Sequence, residues 1–285
     1  PLTYTYNELI MMSKFPWSGC STLLGECFNP SLPSWHSGKY LLSWYLMQIP
    51  TLYLFLFIIG IYASIKVGYQ DKSIRCYIIV IFLQLSLLPL LIVLHNSTLY
   101  DGNRHTLFCL PAIVIIMGLG LQFICTAIFK QTHNYVRISI ISIMLLFMLI
   151  LIIDNLRMAP YQYAYFNEIG RQLIKDNNTE TDYWAFSLRE AYQSIDMIKY
   201  DTPYLTGEPL DVLAQYARED SKLIKYDKNF PFSVNVVATV RDNTIDNIID
   251  AANCQLAAIV SRKLLFMDGQ LVMSKAYNCN STHRL

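Results

Sequence analysis

Three short stretches of this 285-residue chain gather side chains that could do chemistry. The first is "LYDGNRHTLFCLP" (99–111), where Asp101, Arg104 and His105 stand just before an apolar run. An arginine beside the N-terminus of a helix favours anions, because unpaired N–H groups and the helix dipole act together with its planar fork of donors. A phosphate gripped bidentately is the matching ligand. The same residues also read structurally, with Arg104 holding ordinary lipid headgroups while Asp101 and Gly102 make a turn. The second stretch is "MAPYQYAYFNE" (158–168), in which Tyr161, Tyr163 and Tyr165 alternate before Asn167 and Glu168. Alternation predicts an extended segment along an interface, not a helix. An aromatic belt accounts for the tyrosines but not for the Asn and Glu that follow. The third stretch is "ETDYWAFSLRE" (180–190). Asp182 and Trp184 combine a carboxylate with an aromatic face, as carbohydrate sites do, while Ser187 and Glu190 have the spacing of a capping box.

The elements that must position these residues are set by composition. The chain is 54% hydrophobic and 15% charged, against about 25% charged in an ordinary soluble domain, so a membrane protein is the expected class. The net charge of +1 gives no electrostatic reason for a nucleic-acid partner. A spanning helix needs roughly 20 mostly apolar residues. Stretches 45–65, 76–94 and 106–129 meet that need, and 136–153 does so with Arg137 snorkelling to the interface. Pro50, Pro89 and Pro111 are tolerated where neighbouring helices re-satisfy the freed carbonyls. Lys66, Lys72 and Arg75 follow the first span, and Lys130 and Arg137 follow the third, which places those loops in the cytoplasm. Four spans then leave both ends, and the Arg104 loop, on the extracytoplasmic side.

The expected fold is thus an α-helical polytopic membrane protein of about four transmembrane helices with a C-terminal extracytoplasmic small α/β domain. Residues 1–44 form an extracytoplasmic or interfacial segment in which Trp17, Trp35, Tyr40 and Trp44 suit the headgroup level or line a cleft. Residues 45–153 hold the spans and 154–285 the soluble domain. In that domain 186–200 and 208–220 have helical spacing, while 232–240 and 254–261 read as strands. Residues 263–277 read as a hairpin about Asp268 and Gly269. Cys20 with Cys27, and Cys254 with Cys279, lie where disulfides can form. Neither pair has metal-site spacing, the histidines are scattered, and no phosphate-binding glycine loop, HExxH motif or nucleophile elbow is present, so no metal or cofactor is expected. The chain opens on Pro1 without a leader pattern and is read as processed or partial.

In order and spacing, "LYDGNRHTLFCLP", "APYQYAYFNE" and "TDYWAFSLREA", preceded by "FPWSGCSTLLGE" and "PSWHSGKYLLSWYLMQIP", resemble one group of bacterial membrane glycosyltransferases. That group is related to glycosyltransferase family 39, the protein mannosyltransferase-like branch of the C-type superfamily. The likeness covers most of residues 8–195. It implies inverting transfer of a sugar from a polyprenyl-phosphate donor to a lipid, glycan or protein acceptor outside the bacterial plasma membrane. It also implies that the acidic catalytic residue lies in an outer loop ahead of this chain. The chain would then be the C-terminal part, partnered by a missing N-terminal half. In this reading Arg104 and His105 bind the donor phosphate, and Asp101, Tyr163, Tyr165, Asn167, Asp182 and Trp184 line the cavity. The alternatives are a non-enzymatic membrane protein with an extracytoplasmic binding domain, and a transporter or polymerase of envelope polysaccharide.

Overall fold

The computed structural model describes residues 4, 20–28, 34–95, 97–130, 133–174, 178–197, 202–225, 233–240 and 254–279. It divides into two compact units. One comprises Pro1–Cys20, Phe28–Leu156 and Phe166–Arg171; the other comprises Ser21–Cys27, Arg157–Tyr165 and Gln172–Leu285.

The first unit is built on α1 (Ser34–Gln48), α2 (Thr51–Gln70), α3 (Lys72–Leu94), α4 (Leu110–Lys130) and α5 (Asn134–Met158). The last four, with a 3₁₀ turn at Arg104–Cys109 leading into α4, are long and apolar enough to cross a membrane. The span expected at 45–65 is displaced. Pro50 lacks an N–H and disfavours helical backbone at Ile49, so α1 stops at Gln48 and a new helix starts at Thr51. The second span begins four residues earlier than expected, because the Asp71 side chain accepts from the Ser73 and Ile74 N–H groups and caps α3. Arg75 and Arg137, expected in loops, stand in the first turns of α3 and α5 and cap the ends of the preceding helices. Arg75 donates to the carbonyls of Gly68 and Tyr69, and Arg137 to that of Phe129.

Helix α1 replaces the interfacial loop expected there. Tyr40, Leu41, Trp44 and Met47 recur on one face and are buried. The Trp44 ring packs 5.7 Å from Phe166, and Tyr40 packs 5.2 Å from Phe28. Tyr40 and Trp44 are therefore core residues, whereas Trp35 is exposed; Trp17 lies outside the described residues.

Helices α2 and α4 cross at their glycines. The buried positions of α2 are Leu56, Gly60, Ala63, Ser64 and Gly68, mostly small residues at spacings of three and four. A Cβ on Gly60 would lie 1.9 Å from the Ile116 carbonyl oxygen, and one on Gly120 would lie 2.1 Å from that of Leu56. Beyond the crossing, Tyr62 meets Phe123 edge-on at 5.6 Å, so both helices start at the same end. Helices α3 and α5 bury far less of their surface.

The second unit carries a mixed five-stranded sheet in the order β4 (Lys222–Leu223), β3 (Tyr204–Glu208), β5 (Val234–Thr239), β7 (Leu271–Cys279), β6 (Cys254–Arg262). The pairs β3–β4 and β3–β5 are parallel, and β5–β7 and β6–β7 are antiparallel. All six residues of the central β5 are buried. A short hairpin, β1 (Ser21–Leu23) with β2 (Glu26–Phe28), lies outside this sheet. The hairpin expected within 263–277 is larger than its turn signal suggested. Its first arm is β6, and residues 263–270 form the connecting loop, anchored by buried Leu264 and Met267. Helix α7 (Leu188–Met197) packs on β5, β6 and β7; the short α6 (Gly170–Leu173) precedes it in sequence and the short α8 (Leu210–Ala214) follows it. The helix expected over 208–220 shrinks to α8, because Glu208 ends β3 and Pro209 starts the helix. The last residues of the helix expected over 186–200 lie outside the described residues. Cys254 and Cys279 face each other in register and are bonded, and Cys20 and Cys27 are also in disulfides.

Replacing Gly120 with Ala should separate α2 from α4 and cost roughly 1–3 kcal/mol, the range for overpacked cores. Thermal unfolding in detergent reads this as a lowered midpoint, whereas Gly118→Ala, with open space around it, should leave the midpoint unchanged.

Candidate functional site

The loop that carries Asp101, Arg104 and His105 is gripped by three side chains of α1. Tyr40 Oη accepts from the Gly102 N–H at 2.9 Å, Gln48 Oε1 accepts from Asn103 Nδ2 at 3.1 Å, and Tyr45 Oη donates to the Thr106 carbonyl at 3.0 Å. Burial pushes the Tyr45 phenol up to about 12, so it stays a donor at every working pH. Asp101 and Gly102 both have positive φ, which turns the chain sharply before the 3₁₀ turn.

Arg104 stands at the first residue of that turn. One amino group donates to the nearly buried Asp101 carboxylate and the other to Tyr100 Oη at 3.1 Å, while the guanidinium lies 4.5 Å from the centre of the Tyr100 ring. The Arg104 side chain remains 36% exposed. These bonds use two of its five N–H groups, leaving three for a ligand among the described residues. The His105 ring packs edge-on to Tyr100 at 4.7 Å, and its buried Nε2 has no hydrogen-bond partner among the described residues. Thr51 is three residues beyond Gln48, so it marks the same end of the helices. From it an apolar cavity of about 520 Å³ runs between α2, α4 and α5, past Phe55 and Ile59 to Ile124, Met144 and Phe147.

Asn167 and Glu168 mend the break at Pro50. The Leu46 carbonyl would ordinarily accept from the N–H four residues on, which Pro50 lacks. Asn167 Nδ2 supplies that bond at 2.6 Å and also donates to Ile49 O at 2.6 Å, while the Asn167 backbone N–H donates to Met47 O at 2.7 Å. Asn167 Oδ1 accepts from the N–H groups of Ile169 and Gly170. The buried amide is thus fully occupied by backbone groups. Glu168 accepts from Thr51 Oγ1 at 2.5 Å, at the positive end of α2. Arg171 continues the clamp with a fully buried ion pair to Asp154 at 2.8 Å, and two further bonds to Phe166 O.

The second unit holds the other predicted residues. Tyr161, Tyr163 and Tyr165 are not on an extended strand: the Ala164 N–H returns to the Tyr161 carbonyl, and Gln162–Ala164 is a 3₁₀ turn. Tyr161 Oη donates to Glu190 Oε2 at 2.8 Å, and Arg262 grips the same carboxylate at 2.8 and 3.3 Å while stacking 4.8 Å from the Tyr161 ring. The capping box expected of Glu190 does not form, because this ion pair takes both of its oxygens. The Arg262 hydrogen bonds hold the Glu190 carboxyl below its usual range, and burial pushes the Tyr161 and Tyr163 phenols up. Asp182 is 1% exposed. It accepts from Tyr163 Oη, from the Phe186 and Ser187 N–H groups, and from Ser187 Oγ. Trp184 stacks on Tyr163 with ring centres 5.5 Å apart, and Tyr165 is half-buried on extended backbone.

Comparison with family models, with curated proteins and with solved structures returned no match.

The predicted residues therefore fall into two sets. Asp101, Arg104, His105 and Asn167 belong to the first unit, and Tyr163, Tyr165, Asp182 and Trp184 to the second. Among the described residues, no cluster of His, Cys, Asp or Glu could hold a metal ion. None of the ion pairs here is read from the sequence: Asp101 is taken as part of a turn and not as the partner of Arg104, and the pairs of Asp154 with Arg171 and of Glu190 with Arg262 go unseen. An acid at the end of an apolar run, as Asp154 is, was a readable signal; nothing local marks Arg262 as the partner of Glu190, 72 residues away.

Asn167→Ala should strand the Leu46 and Ile49 carbonyls and cost roughly 1–3 kcal/mol for each buried group left unpaired, seen as a lower unfolding midpoint. For Glu190, a folded pKa below the unfolded value of about 4.3 favours the folded state above that pH, and the advantage fades as pH falls through the folded value. Glu190→Gln should therefore flatten the acid limb of the stability curve, measured by unfolding from about pH 7 down to about pH 3.

Proposed function

We propose that this chain is the C-terminal part of an integral-membrane glycosyltransferase. It moves a sugar from a polyprenyl-phosphate donor to a lipid, glycan or protein acceptor on the extracytoplasmic side of a bacterial plasma membrane. One observation carries this reading: the Arg104 guanidinium, with unspent N–H groups, and a wholly apolar crevice start at the same end of the same helices. A cationic grip above a hydrocarbon slot suits an amphiphile with a phosphate head and an isoprenoid tail. The sequence resemblance supplies the sugar.

Each residue then has a stated task. Asp101 and Tyr100 fix the guanidinium plane, so its remaining N–H groups are preorganised for phosphate oxygens. As the glycosidic bond breaks, negative charge grows on the leaving phosphate, and donors already aimed at it stabilise the transition state more than the ground state. His105, packed edge-on to Tyr100, braces the ring on which the guanidinium lies. The catalytic carboxylate belongs to the rest of the enzyme. The helix ends bearing Lys66, Lys72, Arg75, Lys130 and Arg137 face the cytoplasm in this scheme.

A second reading, a membrane protein whose C-terminal unit only binds, draws on a different observation. Asp182 has both carboxylate oxygens engaged, and Asp101 is paired with Arg104, so neither is free to act as acid or base.

The test is binding of polyprenyl phosphate to the chain in nanodiscs, with transfer assayed in the intact enzyme. Arg104→Ala combined with Asp101→Asn, which avoids a stranded buried carboxylate, should weaken phosphate-lipid binding about 10–100-fold, as expected for a lost charged hydrogen bond. Polyprenol without phosphate should bind as before. Unchanged phosphate-lipid affinity and unchanged transfer would overturn the assignment.

A further inference from the structure

In the second unit, Trp184 is 42% and Phe186 49% exposed, yet both are held rigidly. Ala185 between them has φ +59°, a left-handed conformation that a residue with a β-carbon rarely adopts. The buried Asp182 enforces it. Its backbone carbonyl accepts from the Ala185 N–H, and its carboxylate accepts from the Phe186 and Ser187 N–H groups and the Ser187 hydroxyl. A buried carboxylate and a strained alanine thus keep two large aromatic rings pointing into solvent. The rings form one cluster: Trp184 stacks on Tyr163, and Phe186 lies edge-on to Tyr163 at 5.6 Å and to Trp184 at 5.7 Å.

The chain fixes where this cluster can be. Arg157 and Met158, the last residues of α5, belong to the same unit, and Tyr163 follows five residues later. Fully extended, five residues reach about 18 Å. The actual path is shorter, because the Tyr161 N–H returns to Met158 O and the Ala164 N–H to Tyr161 O. The cluster therefore sits beside the end of α5.

We infer that Trp184 and Phe186, backed by Tyr163, form a lipid-headgroup contact that seats the second unit on the membrane next to the exit of α5. The inference rests on the membrane placement of α5 in the reading above, and not on any transfer reaction. Chemistry selects lipid over glycan. A sugar platform needs polar atoms flanking the aromatic face, and here the Asp182 oxygens and the Tyr163 hydroxyl are already committed. Amphipathic and apolar rings with exposed Arg157 and Arg189 close by in sequence suit the interfacial layer, where rings pack among glycerol groups and cations meet phosphates.

The experiment uses the full chain with Trp17→Phe and Trp35→Phe, reconstituted in phosphatidylcholine–phosphatidylglycerol vesicles. Buried Trp44 stays as a constant background, and Trp184→Phe gives the difference signal. The Trp184 signal should lose most of its intensity to lipids brominated near the glycerol end of the chain. It should lose little to those brominated near the methyl end, and little to aqueous iodide. Quenching by iodide without quenching by lipid overturns the inference, as does shielding from iodide by a soluble oligosaccharide, which would mark a glycan platform. A Leu146→Trp probe in α5 separates the two failures. If it is quenched by methyl-end bromine while Trp184 is not, the helix crosses the membrane and only the headgroup contact is lost. If neither responds, the membrane placement itself is wrong.

Discussion

A peptide carbonyl shut away from water has to find a donor, and Pro50 removes the one that the Leu46 carbonyl would have used. Much of the first unit follows from how that vacancy is filled. Asn167 inserts its amide between Leu46 and Ile49, which brings the segment after the tyrosines against the end of α1. Once there, Gly170 packs so tightly against Met47 that a Cβ would lie 2.9 Å from the Met47 carbonyl oxygen. Glu168 reaches the first hydroxyl of α2, and Arg171 finds Asp154 near the end of α5. Helix α1, held at that end, presents Tyr40, Tyr45 and Gln48 to the loop that bears Arg104. The order of dependence runs from a missing N–H to a positioned guanidinium.

The unit uses two arginine–aspartate pairs to opposite ends. Arg171 and Asp154 are both wholly buried, and Arg171 spends further bonds on a backbone carbonyl, so the pair is a closed strut. Such a pair tolerates the loss of either partner badly, because the survivor keeps its charge without water. Arg104 and Asp101 have the same chemistry with one side open. The carboxylate is buried and the guanidinium is not. In this pair the aspartate orients the arginine while part of the guanidinium stays open to solvent.

Much of this architecture was readable from local pattern. The apolar runs mark three of the four long apolar helices to within a turn or so at most ends, and β5 and β6 fall close to where β-branched and apolar residues concentrate. The failures share a cause, which is that the deciding partner lies far along the chain. Pro50 was visible as an imide inside an apolar run, yet whether it kinks or ends a helix depends on Asn167. The alternating tyrosines suggested a strand, but Tyr161 is claimed by Glu190 and Tyr163 by Asp182, and a 3₁₀ turn delivers both. Ser187 and Glu190 have capping-box spacing, and each is taken by a stronger partner. Arg104 was singled out from its own neighbours; the crevice that begins at Thr51 needed three helices in place.

The splint at Pro50 also sets an order of events during synthesis. Asn167 Nδ2 and the Leu46 carbonyl are 121 positions apart, a delay of roughly 6–24 s at ribosomal speeds. Throughout that interval the end of α1 lacks its donor, and the 101–106 loop rests on a support not yet locked. The loop bearing Arg104 is therefore among the last features of the first unit to become rigid, completed only after all four long helices have been made.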